Sequence, residues 1–120
     1  MNDASTTVQR YLAIWNEPDA AQRARLIAEL WSADARYTDP LADVRGPEGI
    51  SGLVGAVQQH YPGHRFEPHG SVDAHGRHLR FSWELRDASG RGVARGTDFA
   101  ELLDDRRLRS VTGFLDPVPL

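Results

Sequence analysis

From Leu79 to Arg86 the chain alternates without a break: Leu79, Phe81, Trp83 and Leu85 fall on one side, Arg80, Ser82, Glu84 and Arg86 on the other. A period of two scatters apolar residues around a helix but gathers them on one face of a strand. The segment is therefore a half-buried strand, unstable until it pairs in a sheet and its apolar face is covered. The neighbouring segments provide the sheet. Arg65 to Ala74 reads as a strand turned back at His75-Gly76, and Ser89-Gly90 turns the chain into a long strand from Val93 to Leu103. Asp104-Asp105-Arg106 then leads to a last strand, Leu108 to Leu115.

The cover comes from the first third, which reads as helices. Val8, Tyr11, Leu12 and Trp15 recur at helical spacing, with Thr6 and Gln9 able to form a capping box, and Asn16-Glu17-Pro18-Asp19 makes a turn. Asp19 caps a second helix with the stripe Leu26, Ile27, Leu30 and Trp31. Ala35 to Asp39 is a short strand ended by Pro40. A third helix starts at Gly46-Pro47, carries Ile50, Leu53, Val54, Val57 and Tyr61, and stops at Pro62-Gly63. Helices first and an antiparallel meander after them is the α+β pattern. With 120 residues and no linker, repeat or low-complexity tract, one domain over residues 1–120 is expected. A sheet this long, curled about its apolar face and closed by helices, would leave a conical cavity.

Absences narrow the chemistry. There is no cysteine, which excludes disulfides, thiolate nucleophiles and cysteine metal sites. There is no lysine either: all 14 basic residues are arginine, so no side-chain Schiff base can form. Carbonyl chemistry in this chain has to run through enolisation by acids and bases. A net charge of −3 offers no basic footprint for nucleic acid. No apolar run reaches membrane-spanning length, and Met1-Asn2-Asp3 lacks the basic and apolar regions of a leader peptide, so a cytoplasmic location is expected. His60, His64, His69, His75 and His78 lie near turns and strand ends and form no metal-binding pair on one helix face. No G-x-S-x-G elbow is present, and Gly46 to Gly55 fits neither phosphate-binding glycine pattern. Neither a metal nor an organic cofactor is expected.

Three polar residues sit where the pattern calls for core. Asp39, held extended by Pro40, shares a strand face with Tyr37. It reads either as a turn residue with a solvated carboxylate or as an acid or base facing the cavity. Asp98 interrupts a strand interior, where aspartate is depleted. Alternation places it with Ala94, Gly96, Ala100 and Leu102, small neighbours that would leave room over the carboxylate. Arg95, Thr97, Phe99 and Glu101 form the other face; an outward Asp98 would pair with Arg80 or Arg109. Tyr11, on the apolar stripe of the first helix, is either a core tyrosine or a donor into the cavity. A tyrosine and two carboxylates converging in an apolar space suit proton transfer beside a carbonyl. Trp15, Tyr37, Leu53, Val57 and Trp83 are the candidate walls around a hydrophobic small molecule.

The runs Val8 to Ala13, Trp31-Ser32-Ala33-Asp34-Ala35-Arg36-Tyr37-Thr38-Asp39-Pro40 and Gly46-Pro47-Glu48-Gly49-Ile50 resemble the NTF2-like superfamily, and within it the SnoaL-like group and the bacterial Δ5-3-ketosteroid isomerases. The resemblance continues to Gly113-Phe114-Leu115. It implies a cystatin-like cone: a bent antiparallel sheet wrapped around N-terminal helices with an internal pocket. By position it implies Tyr11 as an oxyanion-hole tyrosine, Asp39 as general base and Asp98 as a protonated acid donating to the oxyanion. SnoaL-like polyketide cyclases, which close rings by an intramolecular aldol step, place a working acid/base at Asp98. Epoxide hydrolases of the superfamily need an arginine where Gly96 stands, and scytalone-dehydratase-like sites need pocket histidines that have no counterpart here. The superfamily also contains binding proteins without activity. Its dimers join through the outer sheet face, here Arg80, Glu84, Arg86, Arg95 and Glu101, so a homodimer is expected.

Overall fold

In the computed structural model, which describes residues 3–117, three helices pack on one six-stranded sheet. The two first residues of the leader-peptide reading lie outside the described residues. Helix α1 (Asp3–Asn16) and α2 (Ala20–Leu30) lead into β1 (Trp31–Asp39) and β2 (Ala42–Arg45). Helix α3 (Gly46–His60) follows, then β3 (Arg65–His75), β4 (His78–Arg86), β5 (Gly92–Leu102) and β6 (Leu108–Asp116). No helix among the described residues is long and apolar enough to cross a membrane.

The strand order is β2-β1-β6-β5-β4-β3. From β3 to β6 the sheet is the expected antiparallel meander, but β1 runs parallel to β6. The reason is topological: α3 and the meander carry the chain across the sheet, and β6 returns into the gap between β1 and β5. Breaks in register between His69 and Asp73, Leu85 and Arg86, and Glu101 and Leu102 let the sheet bend.

Three local features differ from the sequence reading. The α1 helix already runs from Asp3, so Thr6 lies inside it rather than at a cap. Trp31 is the first residue of β1, not the end of a helical stripe: its backbone is extended while its N–H still bonds to the Ile27 carbonyl. A residue 1% exposed satisfies both patterns, so burial alone could not tell them apart. The short strand β2 pairs back on β1, Asp39 opposite Ala42, through the turn at Pro40-Leu41.

The core is continuous from Val8, Ile14 and Ile27 through Trp31, Ile50 and Val54 to Leu79, Ala100 and Val111. Buried polar groups lock the helices together. Arg23, 6% exposed, donates to Ser51 Oγ on α3 and to the Glu17 carbonyl just beyond α1, where the negative end of the helix dipole favours a cation. Asn16 and Phe66 exchange two hydrogen bonds of 2.9 and 2.8 Å, tying the end of α1 to the start of β3. These ties fix Tyr11 and Trp15 relative to the sheet.

Candidate active site

Alternation along β5 turns Asp98 inward, opposite Phe81 on β4 and Gly113 on β6. It is 1% exposed. Tyr11 packs edge-on against Phe81 with ring centroids 5.1 Å apart, which carries its hydroxyl to the carboxylate. The Tyr11 hydroxyl donates to Asp98 Oδ2 at 2.8 Å, and Trp83 Nε1–H donates to Oδ1 at 3.2 Å. The outward alternative fails: Arg80 pairs with Asp73, and Arg109 lies 3.7 Å from Glu101.

Asp39 is half-buried and combines the two positions considered for it, turn and cavity wall. Its Oδ1 accepts from the Leu41 N–H at 2.8 Å, the bond of an Asx turn, and its Oδ2 accepts from the Tyr37 hydroxyl at 2.7 Å. It shapes the turn and lines the cavity at once.

Two glycines make this convergence possible. A β-carbon on Gly113 would lie 2.8 Å from Asp98 Oδ1, 3.4 Å from Asp39 Cβ and 3.4 Å from the Tyr37 hydroxyl. The two acids therefore share one small space above the bare backbone of β6. On Gly96 a β-carbon would collide with the indole of Trp83 and lie 2.9 Å from the Phe114 carbonyl oxygen. Only hydrogen at that position lets Trp83 lie across β5 and reach Asp98.

The cavity measures about 150 Å³. Tyr11, Asp39 and Asp98 all line it, as do the expected walls Trp15, Tyr37, Val57 and Trp83. Leu53 does not: it packs against the core, since the helical stripe of α3 is wider than the part that faces the cavity. Leu12, Phe66, Leu85, Ala94 and the rim residues Leu41, Tyr61 and Leu115 line it in addition to the expected walls. Leu85 and Ala94 share strand faces with Trp83 and Asp98 and could have been found by alternation. No basic side chain lines the cavity among the described residues.

Burial dominates the electrostatics. Loss of water pushes the Asp98 carboxyl up to about 6, against the hydrogen bonds from Tyr11 and Trp83 and with the help of the Asp39 and Asp116 charges. The Tyr11 hydroxyl is raised far above the usual phenol range by burial first and by the Asp98 charge second. Tyr37 is raised as well, by burial, then by Asp98 and Asp39. The Trp15 indole N–H is buried without a well-formed hydrogen bond, although its nearness to Tyr11 opposes part of that rise. Both tyrosines thus stay neutral donors, while Asp98 can take or release a proton near neutral pH.

A bent sheet covered by helices over an acid-lined chamber defines an NTF2-like, cystatin-like cone. The chain belongs to the SnoaL-like domain family, which it matches over residues 8–111. It is similar to a SnoaL-like family protein from Agrobacterium tumefaciens str. C58, provisionally called an isomerase. The identity is 42%, the coverage 98% of this chain and 100% of that one, and the TM-score 0.93. A protein from Jannaschia sp. CCS1, provisionally called a SnoaL-like polyketide cyclase, shares the fold at 16% identity and TM-score 0.71, over 93% and 86% of the two chains. An NTF2-like protein from Exiguobacterium sp. 255-15 does so at 20% identity and TM-score 0.72, over 93% and 99%. None of the curated proteins matches the chain.

Proposed function

We propose that this protein is an acid/base enzyme that moves a proton at a carbon next to the carbonyl of a hydrophobic ketone. The observation that carries the reading is the shared space above Gly113, where Asp39 and Asp98 meet in an apolar chamber that holds no cation among its described lining residues. Asp39 takes the α-proton as general base. The C–H electron pair becomes the new C=C bond, and the carbonyl π pair moves to oxygen, where Tyr11 and protonated Asp98 donate to it. Return of the proton from Asp39 to the γ-carbon completes an allylic shift, from a β,γ- to an α,β-unsaturated ketone. The identity to a protein called an isomerase is consistent with that outcome. The test is exchange of ketone α-protons with solvent deuterium, followed by NMR with the wild-type chain. No enzyme-dependent exchange across alicyclic and open-chain ketones would overturn it.

A second reading, intramolecular aldol closure, rests on Asp98 accepting two hydrogen bonds as a carboxylate does. There Asp98 is the working base rather than a neutral donor. The pH profile of kcat/KM separates them, because it reports the free enzyme's groups. A required neutral Asp98 makes activity fall as pH rises through about 6; a required carboxylate makes it rise over the same interval.

We further infer that the chain works as a homodimer through the outer sheet face, where an apolar contact sits beside the charged residues. Glu84 is held between Arg95 and Arg86 at 2.8 and 2.7 Å, and Arg80 is taken by Asp73. Phe99 and Phe114, 44% and 60% exposed, project from the same face beside Thr112 and Thr97 and supply the apolar contact. Without activity, the same dimer would serve as a binding protein.

A further inference from the structure

Resting on the acid/base reading above, we propose that the substrate places a single ring, not a fused ring system, in the chamber, and that an apolar tail on that ring lies across the rim. A cavity of about 150 Å³ holds a molecule the size of benzene. Pockets that enclose drug-sized ligands run to about 300–1,000 Å³. A tetracyclic ketone does not fit within a chamber of that volume.

The limit is built into the walls. Trp15, Phe66 and Trp83 interlock edge to face, with centroids 5.6 Å apart for Trp15–Phe66 and 5.2 Å for Phe66–Trp83. Trp15 also packs against Tyr37 at 5.4 Å. Trp83 is pinned from both sides, by its bond to Asp98 and by the bare backbone of Gly96 beneath its ring. These rings support one another, so a rotamer change that widened the chamber would break edge-to-face contacts on both sides of Phe66.

The outside of the chamber is apolar too. Leu41 is 84% exposed, Leu115 47% and Tyr61 40%, and all three line the mouth. Three large side chains left in water at one cavity entrance are a surface for ligand carbon beyond the chamber. With carboxylates and no cation among its described lining residues, the chamber takes a ring portion that carries no acidic group. The substrate class is a neutral one-ring ketone, a cyclohexenone for example, bearing an alkyl or aryl substituent.

The test compares phenols as enolate mimics, by titration followed in NMR spectra of the full chain. 4-Butylphenol, 2-naphthol and a tetracyclic steroidal phenol are the probes, and α-proton exchange is run in parallel on the matching β,γ-enones. We expect 4-butylphenol to bind at least tenfold more tightly than either fused-ring phenol, although it has less apolar surface than the steroid. Along 4-methyl- to 4-butylphenol, affinity should rise about two- to fourfold per methylene as the tail covers the rim. Leu41→Asp should flatten that dependence. Phe66→Val should admit 2-naphthol; if this variant does not fold, the wild-type size series decides alone. A steroidal phenol bound as tightly as 4-butylphenol, or no phenol bound at all, overturns the size assignment. One-ring phenols bound without exchange of any ketone would leave the size assignment standing and remove the acid/base reading.

Discussion

Replacing Asp98 by asparagine removes a carboxyl that is 1% exposed and pushed by burial from 3.8 up to about 6. The folded protein binds that proton more tightly than the unfolded chain does. The resulting stability is therefore fully present below pH 3.8 and is lost as pH rises through about 6. At 1.36 kcal/mol per unit, the loss amounts to about 3 kcal/mol, most of it between pH 4 and 6. Asparagine escapes it and keeps the bonds: its oxygen accepts from Trp83, and its amide donates to a Tyr11 hydroxyl rotated to accept. The stability of Asp98→Asn relative to wild type should thus climb by about 3 kcal/mol from pH 3.5 to 7.5. In urea this is a relative midpoint shift of about 1.5 M at an m-value near 2 kcal/mol/M. Catalysis reads the same substitution differently in the two chemistries. An allylic isomerase keeps much of its turnover, because asparagine still donates to an oxyanion; an aldol cyclase loses its base. A stability difference that stays flat from pH 3.5 to 7.5 would refute the burial argument, whichever way the activity fell.

Asp39→Asn should keep its Asx turn and phenol affinity while slowing α-proton exchange by about 10²–10⁴, the usual worth of a positioned base; exchange at the wild-type rate would assign the base elsewhere. Gly113→Ala must move its new methyl or the Asp98 carboxylate by about 0.7 Å, because 2.8 Å lies well inside ordinary contact. It should cost about 1–3 kcal/mol in denaturant melts and lower exchange by about 10²-fold, and an unchanged rate would show that the shared space is not where chemistry occurs. Phe99→Glu with Phe114→Glu should convert a dimer to a monomer in sedimentation velocity; a monomeric wild type, or a variant that still dimerises, removes the dimer reading.

What could be read from the sequence followed from local periodicity. The inward turn of Asp98 was legible because a strand's faces alternate, and Ala94 and Ala100 on its side outweighed Phe99 on the other. The pairing of Tyr37 with Asp39 was legible for the same reason, two residues apart on one strand. The partnership of Trp83 with Asp98 was not, because it depends on cross-strand register and on the glycine directly opposite Trp83. Gly113 carried no signal of its own: its importance lies in which side chains would occupy its missing β-carbon's place. Leu53 was misplaced because a helical stripe gives the buried side of α3 without saying which part of it meets core and which meets the chamber. The parallel seam between β1 and β6 is a property of the whole chain path, which no window of sequence contains.

That seam governs how the protein can come into being. The strands bearing Asp39 and Asp98 never touch as neighbours; each borders β6, which enters between them. Until β6 is in place, β1 and β5 both expose unpaired backbone along an edge, and neither acid has the other within reach. Closing such contacts between distant parts of the chain is slow and comes late in folding. A ribosome-bound chain that has released everything up to β5 would hold most of its helices and hairpins and still have no active chamber. Its two sticky edges would then compete with other chains for the same pairing that β6 is meant to provide.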